Sequence, residues 1–379
     1  MHLFIEPVDV WLFRDGRPFD AGSDHRAQSL FPPFPTVIQG VVRSHHLVVK
    51  DVDLTNQDSI RQVVGTASDF KGLRMRGPFV AQKSEDRLVR YFPAPADATL
   101  RGTTLEALVP EQTPAGIECS LQTDELLYAR GEPEKEESLS KWISEADLHR
   151  YLDGQPANVV AEDDLFGWEN RFGIARHDTT HTAKEGALYE VQFVRPKDEP
   201  SERIRTGLSV HLEGLEGLEL WPERGWLRMG GEGRGGYFHQ VNELPWPEPP
   251  DPLPERFKVY FATPTYFEAG WKPRNWKAVF DGCVTLEAAA LRRYQSLGGY
   301  DLGGKDHKPA RRYVPAGSVY FFQCHNTARL RHGWCAVLRS MTRAFQCHSR
   351  ARLRGTLIQQ AITDWGAEIG LGQILIGRW

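Results

Sequence analysis

Cysteine is scarce: Cys119, Cys283, Cys324, Cys335 and Cys347 are the only five in 379 residues, and no two form a CxxC pair. This odd, scattered set excludes a disulfide framework and fits a reducing compartment. Cys324-His325, His332, Cys335 and Cys347-His348 lack the short ligand spacings of structural zinc sites, so no metal is expected. No apolar run approaches the roughly 18 residues of a membrane helix. Met1 to Glu6 shows no basic n-region leading into an apolar h-region, and the expected location is cytoplasmic. The net charge of -4 excludes binding to polyanions by bulk charge, so any nucleic-acid surface must be a local patch. A nucleotide cradle is missing too, because the glycine-dense Gly230 to Gly236 lacks a Lys-Ser/Thr ending and opens no helix. Asp163-Asp164, Asp301 and Asp306 come without a DxD or HD frame, and no period of 20 to 50 residues repeats. No cofactor is expected.

The charge that is present is strongly segregated. Arg292 to Arg354 carries thirteen Lys and Arg against Asp301 and Asp306, whereas Glu111 to Asp147 carries ten acids against Arg130, Lys135 and Lys141. The stretch Arg14-Asp15-Gly16-Arg17-Pro18-Phe19 sets arginines and glycines in a loop between an apolar strand marked by Phe4, Val8 and Val10 and a helix. The proline-rich Leu30 to Pro35 delays that helix until Thr36, a candidate N-cap, with Val37, Gly40, Val41 and Leu47 on one face. Arg14, Arg17 and Arg43 would then cluster around one loop. Guanidinium groups beside open backbone suit a phosphate chain; a tight turn with solvated charges fits the same residues.

Strand candidates follow at 73–80, 87–93, 186–195, 205–212, 257–263 and 318–322, of which 87–93, 186–195 and 205–212 alternate. The acidic segment of about 105–165 reads as a peripheral insertion with one helix near Leu139 to Tyr151. The proline-rich Pro245 to Pro254 reads as a stiff connector, and Arg352 to Asp364 as an amphipathic helix with Leu353, Leu357, Ile358 and Ile362 inward. Gly370 to Gly377 reads as a glycine turn feeding a short apolar strand. Strands with few helices in two halves predict an α+β chain, and small βαββαβ units satisfy the pattern.

Arg171 to Gly186 is dense in cations, hydroxyls and imidazoles, including Arg176, His177, His181 and Lys184. It suits a polyanion. His25, His177 or His181 also have the chemistry of a ribonuclease base, though no second acid is set by spacing. Tyr266, Phe267 and Trp271-Lys272 place aromatics next to a cation, which fits stacking on an unpaired base or plain core packing.

Taken in order, these blocks resemble one family, the third Cmr subunit of type III-B CRISPR effector complexes, a member of the RAMP superfamily. The resemblance rests on Phe13-Arg14-Asp15-Gly16-Arg17-Pro18-Phe19 with Ala21-Gly22, Leu30-Phe31-Pro32-Pro33, Gly40 to Arg43, and Arg171-Phe172-Gly173-Ile174 with Gly186 to Tyr189. It continues through Gly230 to Arg234, Thr263-Pro264, Gly270 to Pro273, Val314 to Tyr320 and Gly370-Leu371-Gly372. It implies two ferredoxin-like (RRM-like) domains, 1–185 with the acidic insertion and 186–379 ending in the RAMP glycine-rich loop at Gly370 and Gly372. It also implies a noncatalytic subunit that holds the 5′ tag of the CRISPR RNA, contacts the large polymerase-like subunit, caps the backbone RAMP subunits and meets target RNA only indirectly. On that expectation Arg14, Arg17 and Arg43 engage tag phosphates, Arg176, His177 and Lys184 line the RNA, and Arg234 and Lys272 add contacts. Two other readings stay open: a RAMP endoribonuclease using His25, His177 or His181, and a protein adaptor whose basic 292–354 region meets an acidic partner.

Overall fold

The computed structural model describes residues 1–16, 26–85, 87–117, 123, 125–128, 141–199, 201, 203–301, 306–325, 329–330 and 360–379. Arg17, His25, Cys335 and Cys347 lie outside these residues, as does 352–359 of the expected amphipathic helix. From Gln360 to Asp364, where that helix was expected to continue, the chain is not α-helical, and Ala361 instead makes a β-bridge to Gln373.

The chain is mixed α+β, mostly strands. The main elements are β1 (His2–Pro7), α1 (Pro35–Val49), α2 (Gln57–Val64), β2 (Arg74–Lys83), β3 (Leu88–Pro93), β4 (Lys141–Ser144) and α3 (Glu145–Leu152). There follow β5 (Val160–Ala161), β6 (Phe166–Arg176), β7 (Ala183–Pro196), β8 (Arg205–Glu213), β9 (Arg224–Arg228) and β10 (Gly235–Val241). The last third holds β11 (Arg256–Phe261), β12 (Val284–Ala290), β13 (Gln295–Asp301), β14 (Asp306–Tyr313), β15 (Val319–Cys324) and β16 (Ile374–Arg378).

Helix α1 begins one residue earlier than Thr36. Phe34 precedes it without a side-chain cap, and Pro35 takes the first turn, where its missing N–H costs nothing. Its buried face includes Ile38, Val41, Val42 and Leu47, the first three in one core with Leu3, Ile5, Met75 and Leu208 of the sheet.

An eight-stranded sheet runs in the order β5-β4-β3-β2-β8-β1-β10-β9. Strand β1 is its hub, antiparallel to β8 (Leu3 opposite Val210) and to β10 (Ile5 opposite Phe238). A four-stranded sheet in the order β12-β15-β11-β16 has every neighbouring pair antiparallel. The sheets therefore do not divide at 185/186. Strands β8 to β10 complete the sheet that β1 begins, and the second sheet opens at Arg256, after the proline-rich run. Local alternation marks β8 as a strand, but its pairing with a segment some 200 residues away leaves no local trace.

The helix of the acidic segment is not peripheral. Ser144 Oγ accepts from Asp147 N–H at 3.1 Å and caps α3, whose Leu148, Tyr151 and Leu152 are buried between the two sheets. Gly377 in β16 comes so close that a Cβ there would lie 2.5 Å from Leu152 O.

The two sheets are held together by polar and aromatic contacts. Trp246 stacks on Phe79 at 5.3 Å under the guanidinium groups of Arg76 and Arg90, at 4.7 and 5.1 Å, and its indole N–H donates to Ile374 O at 3.3 Å. Burial and the neighbouring Arg90 charge lower Arg76 to about 9. Tyr260 OH donates to Pro93 O at 2.7 Å, and Lys258 meets Asp97.

Candidate nucleic-acid interface

Strands β6 and β7 form a long hairpin ribbon, in register from Phe166 opposite Pro196 to Ile174 opposite Leu188, with Arg176 opposite Ala183 after a bulge, and Arg26–Ala27 adds a short third strand parallel to β7 at Glu190 and Val191. Its root is anchored by Phe166, Phe193 and Val194, all buried. Beyond the root the even-numbered residues of β6 are exposed, so Trp168, Phe172 and Ile174 stand on one face, with Phe172 70% and Leu188 55% exposed. Gly173 leaves room for the ring of its cross-strand neighbour Tyr189; a Cβ there would sit 2.2 Å from the ring and turn it aside. At the tip, His177 N–H donates to Thr182 O at 2.9 Å and His181 N–H to His177 O at 2.8 Å, closing a turn. Arg176, His177 and Lys184 are exposed together there. The result is an arm with an apolar face and a polar end, where Arg176, His177 and Lys184 are exposed beside Asp178 and Glu185. Such an arm can pack on flat apolar faces, nucleobases among them, while its tip meets phosphate.

The ribbon's root is an ion-pair network. Arg171 donates to Glu169 at 2.6 Å and Asp9 at 2.9 Å, Arg195 donates to Glu169 at 2.6 Å and Asp9 at 3.1 Å, and Arg234 lies 3.6 Å from both Asp9 and Glu232. Phe193 carries Arg171 and Arg234 over its ring, at 5.0 and 4.6 Å. The guanidinium hydrogen bonds hold Asp9 and Glu169 below the usual carboxylate range, chiefly Arg171 on Asp9 and Arg195 on Glu169. Arg234 thus ties the ribbon to the glycine-dense loop, which presses its backbone on Leu12: Gly231 N–H donates to Leu12 O at 2.7 Å, and a Cβ on Gly230 would lie 2.6 Å from that oxygen.

The other expected residues are dispersed. Arg14 is exposed in a turn bridged to Ser29, while Arg43 sits on α1 with its guanidinium 5.7 Å from the Phe70 ring centre. Lys272 lies 4.9 Å over the Trp271 ring, and Phe267 is core. Gly370 and Gly372 are buried where the sheets meet, with a Cβ on Gly370 reaching to 2.5 Å from Gly77 O. Their loop presents Gln373, whose amide accepts from Gly77 N–H and donates to Met75 O, both at 3.0 Å.

The exposed stripe of Trp168, Phe172, Ile174 and Leu188 is absent from the residues chosen by charge. Its signal is a period-two alternation in β6, which reads equally as an ordinary half-buried strand. Among the described residues no group of histidine, cysteine or carboxylate side chains is arranged to hold a metal ion, and no helix is long and apolar enough to cross a membrane.

The family described as "CRISPR-associated protein (Cas_Cmr3)" matches residues 3–379, so the chain belongs to the Cas_Cmr3 family, in agreement with the ordered motifs. Chains from two cryo-EM structures, both of the type III-B Cmr-beta assembly bound to cognate target RNA and one also with AMPPnP, are similar at 13% identity. Each match has a TM-score of 0.48 and covers 85% of this chain and 86% of the other. No curated protein sequence matches the chain significantly.

Proposed function

We propose that this chain is the noncatalytic subunit of a type III-B effector complex that holds the 5′ tag of the guide RNA and docks the large polymerase-like subunit on the backbone filament. Membership of the Cas_Cmr3 family along residues 3–379 supports the assignment to such a complex. The observation that carries the RNA reading is the ribbon, with Arg176, His177 and Lys184 at its tip and Phe172 and Ile174 behind them. Cations meet phosphate while exposed flat side chains pack on unstacked bases.

Both sheets support two ferredoxin-like domains. In the first, β1, β2, β8 and β10 stand in the spatial order 4-1-3-2, and β11, β12, β15 and β16 repeat that order in the second. On this reading the domain boundary falls in the proline-rich connector rather than at 185/186. A scaffold role fits the histidines. His177 and His181 sit in an exposed turn, while His2, His45, His46 and His211 are lowered chiefly by burial within the body, away from the ribbon.

The reading is tested by reconstituting the complex with guide RNA in the presence and absence of this chain and probing with ribonuclease. The 5′ tag is expected to be protected only when the chain is present. Equal protection without it contradicts the reading. Cleavage of repeat RNA in EDTA that vanishes with His177→Ala or His181→Ala would make the chain a nuclease instead.

A further inference from the structure

The eight-stranded sheet ends at β9, where Arg224 stands opposite His239 and Trp226 opposite Tyr237 of β10. Two hydrogen bonds set the phase of this ladder: Gln240 N–H donates to Glu223 O at 2.7 Å, and Met229 N–H to Arg234 O at 2.9 Å. In an antiparallel pair bonded positions alternate, so Gly225 and Leu227 turn their N–H and C=O groups toward β10. Those of Arg224, Trp226 and Arg228 point the other way. Among the described residues no strand pairs with them there.

The same three residues share one face of the sheet. Leu227 and Phe238 are buried in the core beneath α1, so Arg224, Trp226 and Arg228 stand on the opposite face, all exposed and Trp226 at 64%. Tyr237 backs them, edge-on to Trp226 at 4.7 Å and to His239 at 4.6 Å. Glu6, the acid of β1 on this face, lies 3.2 Å from His239. Every arginine at the ribbon root is matched by a carboxylate. Among the described residues none pairs with Arg224 or Arg228, Glu6 and the neighbouring Glu223 included.

Edge strands are commonly blunted by charge, by bulges or by a covering element. This one is regular over five residues and carries an exposed tryptophan at its centre, flanked two residues away on either side by an unpaired guanidinium. A second copy paired in register on this edge would set arginine against arginine in either direction. An extended segment with an acid two residues to each side of an apolar residue meets all three features at once.

We propose that β9 is a docking edge for an extended acidic segment of another protein, which adds a strand to the sheet, lays an apolar side chain on Trp226 and sets carboxylates against Arg224 and Arg228. Main-chain hydrogen bonds to the outward groups of β9 supply the pairing, and the alternate side chains supply the selection. The surface uses none of the residues assigned to RNA above, and its failure would leave that reading standing.

The test uses the full chain and a fluorescently labelled peptide with the core Thr-Glu-Thr-Val-Thr-Glu-Thr, titrated by anisotropy, with folding of each variant checked by circular dichroism. Trp226→Ala is expected to weaken binding roughly tenfold or more. Arg224→Ala/Arg228→Ala is expected to weaken it about fivefold and to remove most of its salt dependence. N-methylation of one alternate set of peptide amides should abolish binding, whereas the other set tolerates it. Hydrogen exchange of the Arg224, Trp226 and Arg228 amides should slow when the peptide is added. No binding by the wild-type chain overturns the proposal, as does equal binding of the peptide with lysine in place of both glutamates. Variants with wild-type affinity overturn it too, and so does equal tolerance of both N-methylated sets. Protection of these amides by single-stranded oligouridylate and not by the peptide would assign the face to RNA and overturn it as well.

Discussion

Lys258 and Asp97 meet at 3.2 Å with side chains 1% and 0% exposed, the lysine in β11 of the second sheet and the aspartate in the segment leaving β3 of the first. Tyr151 of α3 lies beneath the ammonium, its ring centre 4.2 Å away. The pair sits where two sheets of separate strand order abut, and removal of one partner would strand a charge with no water to receive it.

Lys258→Ala is therefore expected to cost about 3–5 kcal/mol in urea unfolding. The double change Lys258→Met/Asp97→Leu should recover most of that loss, because two apolar groups of similar volume leave nothing unpaired. A single variant with wild-type stability would contradict the account.

Gln373 makes a second tie across the seam. Gln373→Ala removes the partner of Gly77 N–H and of Met75 O, at an expected cost of about 2 kcal/mol or more. Gln373→Glu keeps an acceptor for Gly77 but sets a carboxylate against the Met75 carbonyl, and should be at least as damaging by thermal melt.

Trp246 anchors the connector by its stack on Phe79 and its hydrogen bond to Ile374 O. Trp246→Ala is expected to lose about 3–5 kcal/mol. Because the indole lies between the sheets, limited proteolysis should then cut first within the proline-rich run, which stays protected in the wild type.

Acid weakens the fold through its buried histidines. His2, lowered to about 3 chiefly by burial, accepts from Leu244 N–H at Nδ1 (3.2 Å) and lies 2.7 Å from Ser209 Oγ at Nε2. His46 accepts from the Trp221 indole at Nδ1 (3.0 Å) and lies 3.1 Å from Glu216 O at Nε2. Both rings are neutral in the fold, and the unfolded chain takes up their protons below about pH 6.5. Stability is then full above that pH and falls on acidification, for His2 by up to about 1.4 kcal/mol per pH unit down toward pH 3. Thermal melts between pH 7.5 and pH 5 should show a falling midpoint, and His2→Gln should flatten the fall.

The strands expected at 73–80, 87–93, 205–212 and 318–322 are present as β2, β3, β8 and β15; β3 alternates in burial, whereas β2, β8 and β15 are buried nearly throughout because both faces of their sheets are covered there. The division between sheets was not legible in the sequence. It depends on β1 pairing with β8 and β10, and charge or alternation carries no information about partners so distant. The helix in the acidic segment was visible, but its burial rests on Leu148, Tyr151 and Leu152 meeting surfaces built by other elements. Among the candidate site residues, charge singled out those that the fold places at the ribbon tip and in the Arg14 turn. It could not show that Arg234 is taken up by Asp9 and Glu232, nor that Arg312 stands over Tyr294.

The central claim is tested most directly by photo-crosslinking guide RNA, 4-thiouridine-labelled near its 5′ end, within the assembled complex and mapping the modified peptides. Crosslinks to this chain at 171–184 are the predicted result. Intact assembly with crosslinks only to other subunits would contradict the claim and make the chain a protein adaptor.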